Sequence, residues 1–289
     1  MHFRIVSPSA CVDIENVQLA QTHLQNLGHQ VSLAPHVFSQ YRYLAGTVEQ
    51  RLEDLKRACL DPRVDAIWCA RGGYGTVRII DSLDFTKFKK HPKWIMGFSD
   101  VTVLHSQLNV ERIASLHSIM PFTVPKASDE VKETLRKALF GEDIAYTIPS
   151  KSYDKKGKAS GELVGGNISI LYSLLGSKSS INTKDKILFI EDLDEYLYHI
   201  DRMMFNLKRN GYFEKVKGII VGSMSDMHDN EIPFGQNEVQ IITEIAKENN
   251  IPIAFEFPAG HQKDNRTLIL GKKVDFEVNE NEIILRFKD

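Results

Sequence analysis

The chain has 289 residues, 42% of them apolar and 26% charged, the composition of a globular protein with room for two cores rather than of a disordered or fibrous one. Its 36 lysines and arginines nearly balance 38 aspartates and glutamates, so no whole-molecule field is available to hold nucleic acid. No apolar run reaches the length of a membrane span, and the three cysteines, Cys11, Cys59 and Cys69, form no CxxC pair, which argues against a disulfide framework or a thiolate zinc site.

The opening MHFRIVSPSA has an apolar stretch too brief for a signal-peptide core and reads as the first strand of a protein expected in the cytoplasm. VSLAP, AIWCA and WIMGFS are further strand-sized apolar runs. Between the early ones, residues 17–27 and 47–59 carry apolar side chains at helical spacing, with Asp13 and Thr47 placed to cap them. This alternation predicts an α/β domain built on a mainly parallel sheet over residues 1–142. A helix over residues 129–140 stops at Gly141, and the polar run SKSYDKKGKASG then marks residues 143–160 as a linker.

Residues 161–289 form the second predicted domain, rich in β-structure. NISILYSLLG reads as a helix and KILFIED as a strand, while Leu197, Ile200, Met204 and Leu207 share one helical face ahead of a GIIVGSM strand. From Ile253 onward IAFEF, TLILG, KVDFEV and EIILRF read as antiparallel strands separated by turns.

Four segments could carry chemistry. In WIMGFSDVTVLHSQL, Ser99 stands where a buried strand gives way to a helix, which exposes a hydroxyl at the sheet edge and aims helical N–H groups at an oxyanion; a Ser-Asp pair there is more usually a plain N-cap, and GFSD lacks the second glycine of a G-x-S-x-G elbow. ARGGYG places Gly72, Gly73 and Gly75 after a strand, either as a turn or as a source of an oxyanion donor from Gly73 to pair with the Asp100 amide. KILFIEDLDEYLYH runs a strand into Glu191, Asp192, Asp194 and Glu195, and Glu191, the first residue past the strand in this reading, is placed to orient an imidazole. His261 lies on a turn with Pro258 and Gly260, with His105 and His117 as competitors. The loop SDMHDNE, with Asp226, His228 and Asp229, has neither HExxH spacing nor an EF-hand glycine and is not read as a metal site.

Taken in order along the chain, IVSPSA, RGGYG, GFSD, GELVGGN, FIED, DRM with NGYF, and AGHQKDN resemble the LD-carboxypeptidase family of serine peptidases, which includes muramoyl-tetrapeptide carboxypeptidases and microcin-immunity peptidases. The resemblance implies Ser99 as nucleophile, Glu191 as orienting acid and His261 as base, meeting in a cleft between the two domains. It implies a homodimer that needs no metal or organic cofactor and has no nucleic-acid or membrane partner. The implied substrate is a small muropeptide-like peptide, from which terminal D-alanine is released in cell-wall recycling. Arg71, Tyr74 and Arg266, beside the glycine loop and the His261 turn, are candidates for the terminal carboxylate. The alternatives are a microcin-immunity type peptidase acting on an aminoacyl-nucleotide and a non-catalytic muropeptide-binding protein.

Overall fold

In the computed structural model, which describes residues 1–288, the chain forms two sheets. The first half supplies β1 (His2–Val6), α1 (Ile14–Asn26), β2 (Gln30–Leu33), α2 (Val48–Leu60), β3 (Ala66–Cys69), the single-turn α3 (Val77–Ile80), β4 (Trp94–Gly97), α4 (Thr102–Val110), β5 (Ser115–His117) and α5 (Asp129–Phe140). β5, β4, β3, β1 and β2 lie side by side in parallel. All four residues of β3 are buried, as in a sheet covered on both faces. The helices follow local chemistry: Thr47 and Gln50 close a capping box on α2, Ser128 caps α5, and Gly141 ends α5 in the left-handed conformation. Asp13 stands at the N-cap of α1 without a side-chain capping bond.

The second half supplies β6 (Ala145–Pro149), β7 (Gly157–Asn167), α6 (Ile168–Ser173), β8 (Ile187–Leu193), α7 (Leu197–Arg209), β9 (Gly218–Ser225), α8 (Glu238–Ile245), β10 (Ile253–Ala254), β11 (Leu268–Leu270), β12 (Lys273–Val278) and β13 (Glu282–Phe287). β10, β9, β8 and β7 are parallel neighbours, and β12, β13 and β6 continue the same sheet antiparallel.

Three features differ from the sequence reading. Residues 143–160 hold β6 and the start of β7, because these strands alternate inward apolar with outward polar side chains and so look polar when read as composition. Tyr146, for instance, is buried and donates its hydroxyl to the Thr267 carbonyl at 2.6 Å. IAFEF contributes only the two-residue β10. TLILG does not join the second sheet: β11 pairs antiparallel with β5, Leu268 opposite His117, and thereby ties the C-terminal segment to the first sheet, one strand away from β4.

The halves meet where α4 packs on β7. Gly166 lies so close to Thr102 that an added Cβ would sit 2.5 Å from the Thr102 hydroxyl, and the Asn167 amide donates to that hydroxyl at 3.1 Å. The last glycine of the GELVGGN motif, Gly166, is therefore required because the two halves dock through it. Among the described residues no helix is long and apolar enough to cross a membrane.

Candidate active site

β4 ends at Gly97, whose φ of 151° and close approach to Val101 exclude a side chain. Ser99, two residues on, has φ 64°, a left-handed conformation that costs a serine about 1–2 kcal/mol and persists only where the surroundings enforce it. It then opens a 3-10 turn, Ser99–Val101, that leads into α4. This is a strained strand-turn-helix of the kind that lifts a hydroxyl off a sheet edge, made without the second elbow glycine.

The enforcement comes from Asp100. Its side chain is buried, and Oδ2 accepts from the Ser9 hydroxyl at 2.6 Å and from the Thr76 amide at 2.9 Å. One carboxylate thus ties the Ser99 turn to both the IVSPSA and the RGGYG loops. The buried Arg51 reinforces the pair by donating Nη1 to the carbonyls of Pro8 at 2.6 Å and Gly75 at 2.8 Å. Drawn in this way, the glycine loop lies directly on the serine: a Cβ on Gly72 would stand 2.8 Å from Ser99 Cβ, 2.9 Å from its Oγ and 3.4 Å from the Asp100 amide nitrogen. Gly72→Ala is therefore expected to lower kcat about 100-fold by displacing the hydroxyl, with an unchanged near-ultraviolet circular dichroism spectrum. A loss of fold instead would show that Gly72 serves packing alone.

From the other half, Glu191 sits within β8, not beyond it as the sequence reading had it. β8 and β9 change register here, with Glu191 between the pairs Ile190–Val221 and Asp192–Met224, so two residues of β9 face one of β8. Glu191 is fully buried, and its Oε2 accepts from His261 Nδ1 at 2.6 Å. Gly260 makes room for this contact: with φ 108°, its Cβ would lie 2.8 Å from Glu191 Oε2. The turn is held by Asn265 Oδ1, which accepts from the Gly260 amide at 2.9 Å, and by the Ser225 hydroxyl, which donates to the His261 carbonyl at 2.7 Å. The His261 ring meets Phe98, the neighbour of Ser99, edge-on at 4.8 Å between centroids. Burial works to lower its pKa, but the Glu191 charge, the hydrogen bond to it and the Asp192 charge outweigh burial and hold it above the ordinary 6.5.

The remaining acids of the cluster have other partners. Asp192 accepts from Asn167 Nδ2 and from the Ser169 amide and hydroxyl, and burial followed by the Glu191 charge pushes it up to about 6. Asp194 pairs with His228 and Glu195 with His199, each at 2.5 Å.

Comparison with known proteins gives the family of the chain. A sequence profile described as the LD-carboxypeptidase N-terminal domain matches residues 3–118, and one described as the LD-carboxypeptidase C-terminal domain matches residues 160–276. The chain belongs to the LD-carboxypeptidase family. A probable murein peptide carboxypeptidase of Bacillus subtilis is 34% identical over 97% of this chain and 90% of its own. The crystal structure of a muramoyltetrapeptide carboxypeptidase from Oxalobacter formigenes superposes with a TM-score of 0.92 at 26% identity, over 100% of this chain and 99% of that one. The microcin C7 self-immunity protein shares the fold, with a TM-score of 0.88 at 22% identity over 100% of this chain and 96% of that one.

In this LD-carboxypeptidase Ser99 and His261 line one cleft of about 560 Å³, together with Gly72, Gly73 and Phe98 from the first half and Leu193 and Asn265 from the second. It opens at the carboxyl ends of β4 and β8, where open α/β sheets gather their ligands. A larger groove, 1140 Å³, runs past Met1, Asp65, Trp94 and Ala114 at the opposite, amino end of the first sheet, and holds neither Ser99 nor His261. Of the three carboxylate-binding candidates only Arg71 lines the cleft, its guanidinium 4.8 Å from the Phe122 ring centre and Nη1 donating to the Cys11 carbonyl at 3.0 Å. Tyr74 is 49% exposed outside the lining, beneath Arg78, and Arg266 is engaged by Asp264 and Glu130.

Lys126 and Lys263 line the cleft too; Lys263 lies within the AGHQKDN motif, whereas Lys126, on a 3-10 turn, gives no sequence signal. Arg51 does give one: it falls at i with Leu55 and Ala58 at i+4 and i+7, on the apolar face of α2.

His105 and His117, the competing histidines, lie inside the first half. His105 bonds Ser115 Oγ at 2.8 Å and the Gly97 carbonyl at 2.9 Å, and burial holds its pKa down at about 4. His117 is fully buried against Phe98 and Phe189, both ring nitrogens without a partner among the described residues, and burial, then His105 and His261, hold its pKa well below 6.5. A depressed histidine pKa means the unfolded chain binds more protons below 6.5, so stability is lost as pH falls through that value. His117→Phe is expected to reduce the loss of unfolding free energy between pH 7 and pH 5 by about 2 kcal/mol, measured by urea titration; an unchanged loss would remove His117 as its source.

Proposed function

We propose that this LD-carboxypeptidase is a serine-type hydrolase that cleaves between an L-configured centre and a terminal D-amino acid, releasing D-alanine from a murein tetrapeptide. The observation that carries the reading is the 2.6 Å bond between His261 Nδ1 and the buried Glu191, on a ring that opens onto the same cleft as the strained Ser99.

In the mechanism, His261 takes the Ser99 proton through Nε2 as the hydroxyl oxygen attacks the carbonyl carbon. Glu191 fixes the Nδ1–H tautomer and stabilises the imidazolium. The Asp100 amide, at the start of the helical turn, and the Gly73 amide would hold the oxyanion; that Gly73 lines the same cleft as Ser99 supports the pairing. His261 then gives its proton to the departing amine of D-alanine, and a water it activates frees the acyl group. Arg71, rigidly held and without a carboxylate partner among the described residues, is suited to the terminal carboxylate. The same reading includes a cytoplasmic homodimer acting in peptidoglycan recycling.

The test is D-alanine release from a tetrapeptide ending in an L-centre followed by D-alanine. Release is the expected result. Hydrolysis of an aminoacyl-nucleotide but not of the tetrapeptide would move the assignment to the microcin-immunity type, and tight tetrapeptide binding without turnover would make the chain a binding protein.

A further inference from the structure

Two sets of bonds preorganise the site, each within one half. Asp100 ties the Ser99 turn to the loops of the first half, while Ser225 and Asn265 hold the His261 turn in the second. Neither set fixes Ser99 relative to Glu191, and the β8–β9 pairing skips Glu191 at the register change. An interrupted ladder aims a side chain less firmly than a regular one, so the direction of Glu191 depends on what its other neighbours hold.

On the other side of β8, Asn167, the last residue of β7, stands opposite Glu191 in the parallel register. It makes three directed bonds. Its backbone amide donates to Thr102 Oγ1 at 3.1 Å, its Nδ2 donates to Asp192 Oδ1 at 2.8 Å, and its Oδ1 caps α6 by accepting from the Ile170 amide at 3.2 Å. Thr102 opens α4 three residues after Ser99, and Asp192 adjoins Glu191. Asp192 is anchored in turn: Oδ2 accepts from the Ser169 amide at 2.9 Å and hydroxyl at 2.8 Å, and Oδ1 accepts from the Leu193 amide at 2.9 Å. Thr102, Asn167 and Asp192 are all buried. The far end of α4 is clasped to the same half, since Asn109 Nδ2 donates to Glu162 at 2.6 Å and the Ser179 hydroxyl donates to Gln107 at 2.8 Å.

We infer that Asn167 and Asp192 are positioning residues, a buried bridge that sets Glu191 of one half against the Ser99 turn of the other. The inference rests on the reading in which Ser99, Glu191 and His261 act together. Neither Asn167 nor Asp192 lines the cleft, so both act through Glu191 and α4 rather than on substrate. Apolar surfaces can dock in several closely similar ways, whereas a buried carboxylate with donors aimed at both oxygens has one arrangement that satisfies them all, and sliding the halves would leave polar groups buried and unpaired. A misplacement of reacting groups by about 1 Å costs about 100-fold in rate, which is the scale at which such a bridge matters.

Asn167→Asp keeps the α6 cap but faces Asp192 with a second carboxylate in place of the donor. At equal folded concentration, kcat for D-alanine release is expected to fall about 100-fold with KM changed by less than about threefold, and a fluorophosphonate should label Ser99 correspondingly more slowly. Adding Asp192→Asn exchanges donor and acceptor across the same contact, and kcat should recover to within about tenfold of the intact chain. A lower urea midpoint with unchanged kcat and labelling, or no recovery in the double variant, would overturn the bridge. Asn167→Ser, which retains a capping oxygen but no amide donor, decides the matter if Asn167→Asp does not fold: kcat about tenfold lower is expected, and kcat within about twofold of the intact chain would overturn it. Absence of D-alanine release by the intact chain would fail the hydrolytic reading by itself, and the labelling rates would still decide the bridge.

Discussion

Replacing Ser99 by alanine is expected to reduce D-alanine release by about 10,000-fold or more while leaving the fold intact. Alanine keeps the Cβ that packs against Gly72, and it meets the same left-handed φ of 64°, so the change isolates the hydroxyl from the backbone that presents it. Without Oγ, His261 has no nucleophile to activate, and only positioning and oxyanion stabilisation remain. Turnover measured at equal folded concentration checks this. Activity within tenfold of the intact chain would place the nucleophile elsewhere.

Glu191→Gln should have the second largest effect and a signature in pH. With Glu191 present, His261 titrates above 6.5, because the carboxylate charge and hydrogen bond outweigh the burial that works against protonation. Only the neutral ring can accept the serine proton, so kcat/KM should fall as pH drops through a midpoint above 6.5. The glutamine variant removes the charge but keeps the shape. Burial then acts against a weaker opposition, chiefly the Asp192 charge, and the midpoint of the residual activity is expected to move down. The rate at the plateau should fall about 10,000-fold, since an amide can hold the ring in the wrong tautomer. An unshifted midpoint would mean that the titrating group is not His261.

The same bond explains why the site was only partly legible in the sequence. Periodicity located GFSD at a strand-to-helix junction and FIED at the end of an apolar run, yet it carries no information on which loops face each other. Glu191 and His261 are 70 residues apart in the chain, and the contact between them depends on a register change in β8 and on a glycine at 260, neither of which has a sequence period. The positive φ of Ser99 is likewise silent, because it is imposed by the buried Asp100 and the loops it ties rather than by a local glycine pattern.

Fold elements buried on both faces, such as β3, stood out as short apolar runs. β6 and the start of β7 did not, since their outward faces are polar, and β11 could be recognised as a strand but not assigned to a sheet, because three apolar residues do not specify a partner. The one structural device that joins both kinds of silence is Arg266. In sequence it looks like a substrate-binding arginine next to the His261 turn; in three dimensions its fork is occupied by Asp264 and Glu130, and it braces the rim of the cleft.

The most direct measurement of the central claim is covalent labelling with a fluorophosphonate, which reacts with a serine hydroxyl only where a base activates it. The account requires stoichiometric modification at Ser99, loss of D-alanine release in proportion to labelling, and little labelling of Glu191→Gln. Labelling confined to another residue, or full turnover by the chain labelled at Ser99, would contradict it.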